Sequence, residues 1–259
     1  MTTTATTRTV PPLGGFSSTF LGLELRRLLR NKRAVIFTLI MPSVFFLLFG
    51  TDGEYKTDSA GHGNVTAYIM VSMAVYGAMI ATTSGGAMVA TERALGWSRQ
   101  LRLTPLHPVA YVAVKVAVAM AMGLVAIVTV FVVGELFGAD IAMWRLVVCG
   151  VLAWTCTLVF AAFGLFMGYL LPSENVMQIL GPALALLSFA GGLFIPLDQM
   201  SDVFASIAKV TPAYGVGVLS RAPFGDDGSI ALAIVNVLVW ASVFVLGAAW
   251  RMSRDTQRV

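Results

Sequence analysis

Residues of the kinds that do chemistry are few in this chain, and they are scattered. Its two histidines, His62 and His107, fall in different inter-helical stretches, so no histidine-based metal site can be assembled from them. The two cysteines, Cys149 and Cys156, are seven positions apart. On one helix that is about 10.5 Å, beyond the roughly 7 Å Cα separation that a disulfide spans. Both therefore read as packed thiols. Charges of both signs gather in "TERALGWSRQLRLTPLHP" (Thr91–Pro108), where Glu92 is followed by Arg93, Arg99 and Arg102, a pattern suited to pairing with another protein. The one adjacent acidic pair, Asp226–Asp227, lies between Gly225 and Gly228, where a turn explains it more simply than a catalytic dyad. No G-x-x-x-x-G-K-[ST] occurs, so the chain cannot itself cradle ATP as a P-loop protein does. The Asn-Val-Thr at Asn64 matches a glycosylation sequon, but a three-residue match carries no weight.

The elements that hold these residues follow from composition. Of 259 residues, 58% are hydrophobic and 12% charged, with a mean hydropathy of +0.84. Soluble domains carry about 25% charged residues, and half that share cannot cover a water-soluble globule. A soluble enzyme, a nucleic-acid module and a disordered regulator are excluded. Six windows meet the length of about 20 apolar residues that a spanning helix needs: Ala34–Gly50, Val65–Ala90, Val109–Val133, Leu146–Leu171, Val176–Ile195 and Ile230–Trp250. Regular alternating segments, as a membrane barrel requires, do not occur. The expected fold is an all-α integral membrane protein of six transmembrane helices, the first broken by Pro42. The windows hold no Asp, Glu, Arg or His, and Lys115 lies near enough to an edge to snorkel. That argues against a carboxylate-relay transporter, an intramembrane protease and an ion pump.

Residues 1–18 read as a disordered Thr-rich tail, 19–33 as an amphipathic interfacial helix, and 34–259 as one six-span domain. In "FLGLELRRLLRNKR", Leu21, Leu25, Leu28 and Leu29 recur at helical spacing while the arginines project elsewhere. With both termini inside, twelve basic residues face the cytoplasm and four face out, the bias that sets orientation. This predicts a multi-pass protein of the cell membrane with both termini cytoplasmic. Thr91 is expected to cap a short cytoplasmic helix carrying Glu92 in its first turn, with Gly96 interrupting it. Beyond the fifth window, Ser201 or Asp202 caps a helix through Lys209, and Thr211–Pro212 opens a second. Such apolar but short helices fit a re-entrant excursion on the outer side. Gly77, Ala81 and Gly85, and Gly164 and Gly168, form small-residue stripes for close helix packing.

Four features together resemble the permease subunit of a type-2 ABC transporter. They are "LELRRLLRNKR" before a span containing "TLIMPSVFFLLFG"; "ATERALGWSRQLRLTPL", similar to the family's coupling segment; "AGGLFIPLDQM" followed by "VTPAYGVGVLSRA"; and six spans with both ends inside. A departure is Gly96–Trp97, where relatives often carry Gly-Thr. The resemblance covers the chain after residue 16. It implies a homodimer, or a pair of similar permeases, on two copies of a separate ABC ATPase that binds ATP and Mg, with no cofactor and no catalysis in this chain. It also implies docking of the ATPase around Glu92, Arg93, Trp97 and Arg99, and a translocation path involving Phe45, Phe49, Tyr76, Met79 and Phe189. The function so implied is export of a lipophilic or amphiphilic small molecule of drug or antibiotic type, as in multidrug efflux and antibiotic resistance. Alternatives are export of a lipid-linked polysaccharide by a permease of the same family, and an integral membrane enzyme of lipid metabolism.

Overall fold

The computed structural model describes residues 18–96, 107–225 and 229–257. Of the residues singled out above, Trp97, Arg99, Arg102, Asp226–Asp227 and Gly228 lie outside the described residues, as does the tail before Ser18. The described chain is helical almost throughout: α1 (Ser18–Arg30), α2 (Lys32–Gly50), α3 (Val65–Ala94), α4 (Pro108–Leu136), α5 (Met143–Cys156), α6 (Leu158–Leu170), α7 (Val176–Ala190), α8 (Asp202–Ala208), α9 (Pro212–Arg221) and α10 (Ile230–Gln257). A two-residue antiparallel pair, β1 (Ser59–Ala60) and β2 (Gly63–Asn64), joins α2 to α3.

α3 is the axle. Its most apolar window is 83% buried, and α2, α4 and α6 pack around it. Small residues make this possible. A Cβ on Gly164 of α6 would lie 2.2 Å from the Thr83 carbonyl oxygen, and one on Gly86 2.5 Å from the Leu165 nitrogen. Gly85 likewise sits against Ala119 of α4, where a Cβ would fall 2.6 Å from that methyl group. The glycine stripes are thus consumed in packing inside the bundle, where backbones approach without intervening side chains.

Four helical segments are long and apolar enough to cross a membrane: α3, α4, α5–α6 taken together, and α10 through Arg254. The number reaches six when each bent pair counts as one span: α1–α2, bent by 63°, and α8 with Pro212–Phe224, bent by 91°. The fifth window forms α7, whose 15 residues reach only about 22 Å against a hydrocarbon core of roughly 30 Å.

Local expectations are corrected in four places. α2 runs unbroken through Pro42, and the ring packs where Gly77 of α3 has no side chain; a Cβ there would meet the proline Cγ at 3.0 Å. The interfacial helix ends at Arg30, with Asn31 separating it from α2. The fourth window divides at Thr157, whose hydroxyl donates to the Trp154 carbonyl at 2.8 Å and competes with the helix ladder. Thr91 does not begin a new helix. It lies inside α3, which continues to Ala94 and stops where Gly96 takes a φ of +71°.

The two short helices after α7 begin after Ser201 and Thr211 as expected, though neither side chain accepts a capping hydrogen bond. Their corner is held by α10. Asn236 donates to the carbonyls of Lys209 (3.0 Å) and Thr211 (3.1 Å), and Trp240 to that of Val210 (2.9 Å). At the hairpin end, Asn64 is a buried hub. Its Oδ1 accepts from the nitrogens of Ala67 and Asp140, while its Nδ2 donates to the carbonyls of Lys56 and Gly138. A side chain so committed is not presented for glycosylation.

Candidate functional site

At the end of α3 opposite the hairpin, five polar side chains from three helices meet. Lys115 of α4 places its Nζ 2.6 Å from Glu24 of α1 and 2.5 Å from Glu92 of α3. Arg27 of α1 donates to Glu92 at 2.7 Å, and the Tyr111 hydroxyl donates to the other Glu92 oxygen. Glu92 is 2% and Lys115 3% exposed. Two carboxylates and two cations cancel, which is the condition under which buried charge is tolerated. Lys115 therefore does not snorkel: its partners come to it. Glu92 in turn is not an outward-facing charge, because α3 carries it inward onto α1 and α4.

Glu24 was legible in principle. It falls on the stripe of Leu21, Leu25 and Leu28, so an acid interrupts the apolar face of an amphipathic helix. Such an acid demands a buried partner. That its partner is Lys115, 91 residues away, is decided by how α1 lies on α4.

Arg93 points the other way. Its Nη1 donates to the carbonyls of Gly168 and Tyr169 at 3.1 Å each, satisfying the orphan acceptors at the end of α6. Its guanidinium also lies over the Tyr169 ring. The last turn of α3 is thereby fastened to α1, α4 and α6 at once, immediately before the segment holding Trp97 and Arg99.

Of the five path residues named from sequence, four come together. Phe45 and Phe49 of α2, Tyr76 of α3 and Phe189 of α7 all gather on Phe194, a residue the sequence reading passed over. Phe194 stacks on Phe189 (centroids 4.4 Å apart) and meets Tyr76 (5.0 Å), Phe45 (5.7 Å) and Phe49 (6.2 Å) edge-on. Met79 is not among them; it is fully buried in the bundle core. One turn before Tyr76, Ser72 accepts a hydrogen bond from Arg221, a buried arginine that ends α9. Among the described residues, no three His, Cys, Asp or Glu side chains group as a metal site.

A helical bundle around an apolar axle, with four to six helical segments long and apolar enough to cross a membrane, defines a multi-pass membrane protein. Residues 18–221 match the family of ABC-2 type transporters. The chain is also 30% identical over 198 residues, covering 75% of its own length and 79% of the relative's, to a protein of Bacillus subtilis (strain 168) described as "Putative transport permease YvfS". The chain belongs to the ABC-2 type transporter family, a family of membrane permeases that work with an ABC ATPase.

Proposed function

We propose that this chain is the membrane-spanning subunit of an exporter for a lipophilic or amphiphilic small molecule, driven by ATP hydrolysis on separate subunits. Two copies, or this chain and a similar permease, stand on two ATPases and open the route between them. In this reading α2, α3, α4, α5–α6 and α10 span, α7 with the residues through Ile195 makes a short sixth crossing that local thinning of the bilayer accommodates, α1 lies at the inner interface, and α8–α9 form the outer re-entrant pair. Both termini and residues 97–106 face the cytoplasm, on the strength of the basic bias.

The neutral ionic cluster at the base of α3 carries this reading. A loop that receives force is useful only if that force reaches the spans as a rigid displacement. Here the segment beginning at Trp97 follows directly on a helix end tied through Glu92 to Arg27, Lys115 and Tyr111, and through Arg93 to α6. Trp97 and Arg99 are then the docking residues, and Glu92 and Arg93 transmit what they receive.

Purification of the tagged chain from its host membrane tests this. An ATP-hydrolysing polypeptide should copurify, and its hydrolysis should respond to added lipophilic amphiphiles. Trp97→Ala and Arg99→Ala should lose the ATPase, whereas Glu92→Gln should keep it and lose the response. A chain that purifies with no such polypeptide overturns the reading.

A further inference from the structure

We propose that Arg221 is an anion-recognition residue of the translocation route, and that the transported molecule is an anionic amphiphile, an apolar body bearing a carboxylate, sulfate or phosphate head. This rests on the exporter reading above and names its substrate class.

Arg221 is 2% exposed. Its Nη1 donates to the Ser72 hydroxyl at 3.0 Å and to the Gly192 carbonyl at 3.2 Å, and its guanidinium lies 4.8 Å above the Tyr68 ring. All three are neutral groups. Its Nε is buried with no hydrogen-bond partner, and among the described residues no carboxylate pairs with it. The contrast with the opposite end of α3 is direct, since there each buried cation has an acid. A lysine could lose its proton in such surroundings, but a guanidinium stays charged. A buried cation without a counter-charge is costly, and within a spanning bundle it marks a functional position.

Its position indicates what the counter-charge belongs to. Ser72 is one helical turn from Tyr76, and Gly192 is two residues from Phe194, so the cation stands at one end of the aromatic cluster of Phe45, Phe49, Tyr76, Phe189 and Phe194. Gly217 lies beside the fork: a Cβ there would meet the Leu193 side chain at 2.9 Å and lie 3.6 and 3.7 Å from the two terminal nitrogens, so glycine keeps the fork from being crowded by its own helix. Apolar rings beside a planar five-donor fork suit a tail and an oxyanion head respectively.

The test uses the full chain in neutral phosphatidylcholine nanodiscs and two fluorescent probes, dansylundecanoic acid and its uncharged methyl ester. Wild type should prefer the acid. Arg221→Gln should weaken the acid about ten- to hundredfold, the worth of a charged hydrogen bond, and leave the ester within about twofold; Arg221→Lys should keep part of the preference. Displacement of the acid by phosphatidylglycerol in the disc identifies a lipid headgroup as occupant, and lack of displacement a non-lipid amphiphile; both support an anion site. Equal binding of acid and ester by wild type overturns the anion site and leaves the exporter standing. Parallel loss of both probes in Arg221→Gln, with a lowered unfolding temperature, makes Arg221 a clamp between α9 and α3 only. Binding of neither probe by wild type removes the amphiphile from both readings.

Discussion

Lys115 on α4 bridges carboxylates from two other helices, Glu24 of α1 at 2.6 Å and Glu92 of α3 at 2.5 Å. It touches both acids from within the bundle, and Arg27 reaches the same two acids from the half-exposed side. Removing Lys115 alone leaves two buried carboxylates with one cation between them. Lys115→Met should destabilise the chain by about 3–5 kcal/mol, the usual consequence of orphaning a buried charge. Adding Glu92→Gln to Lys115→Met should recover part of that loss. Denaturant titration in detergent micelles measures the cycle; strictly additive effects would show that the two residues do not act as a pair.

The glycine stripes make a sharper stability prediction. Gly164→Ala places a methyl group 2.2 Å from the Thr83 carbonyl oxygen and Gly86→Ala one 2.5 Å from the Leu165 nitrogen, both on backbone that cannot step aside. Each should cost more than about 1–3 kcal/mol, the usual range for overpacking. Gly22→Ala and Gly181→Ala meet nothing within 4 Å and should be neutral or stabilising by up to about 1 kcal/mol through helix propensity. Unfolding temperatures of the four variants check this, and a destabilised Gly22→Ala would contradict it.

Orientation is open to direct labelling. In a Cys149→Ala, Cys156→Ala background, His62→Cys should react with a membrane-impermeant thiol reagent in whole cells, and Arg99→Cys only after lysis. His62 is exposed beside the β1–β2 hairpin. Labelling of Arg99→Cys but not His62→Cys in intact cells would invert the topology.

Phe194 should matter more to transport than any single residue first named for the path, because four rings meet on it. Phe194→Ala should reduce export at least as strongly as Phe45→Asp, Tyr76→Asp or Phe189→Asp, without loss of the copurifying ATPase. Full export by Phe194→Ala, measured as substrate resistance in cells, would remove the cluster from the route.

Much of this protein is readable from its residues alone. The windows beginning at Val65, Val109 and Ile230 are apolar for so long that only helices, which satisfy their own backbone, can place them in lipid. α8 and α9 begin after Ser201 and Thr211 as read from sequence, although neither side chain accepts a capping hydrogen bond; extended backbone at both positions and Pro212 in the first turn of α9 are local signals. The motifs from "LELRRLLRNKR" to "VTPAYGVGVLSRA" carry the family for the same reason: each is a short segment with a fixed local geometry. Tertiary structure alone decided which segments meet. That α3 runs past Ala90 to bury Glu92, that Glu24 finds Lys115 across 91 residues, and that Arg221 reaches Ser72 across 149 depend on how helix faces cross. Where α3 meets α6, Gly86 and Gly164 let the backbones close; helical periodicity records the face a residue occupies but not the face it meets.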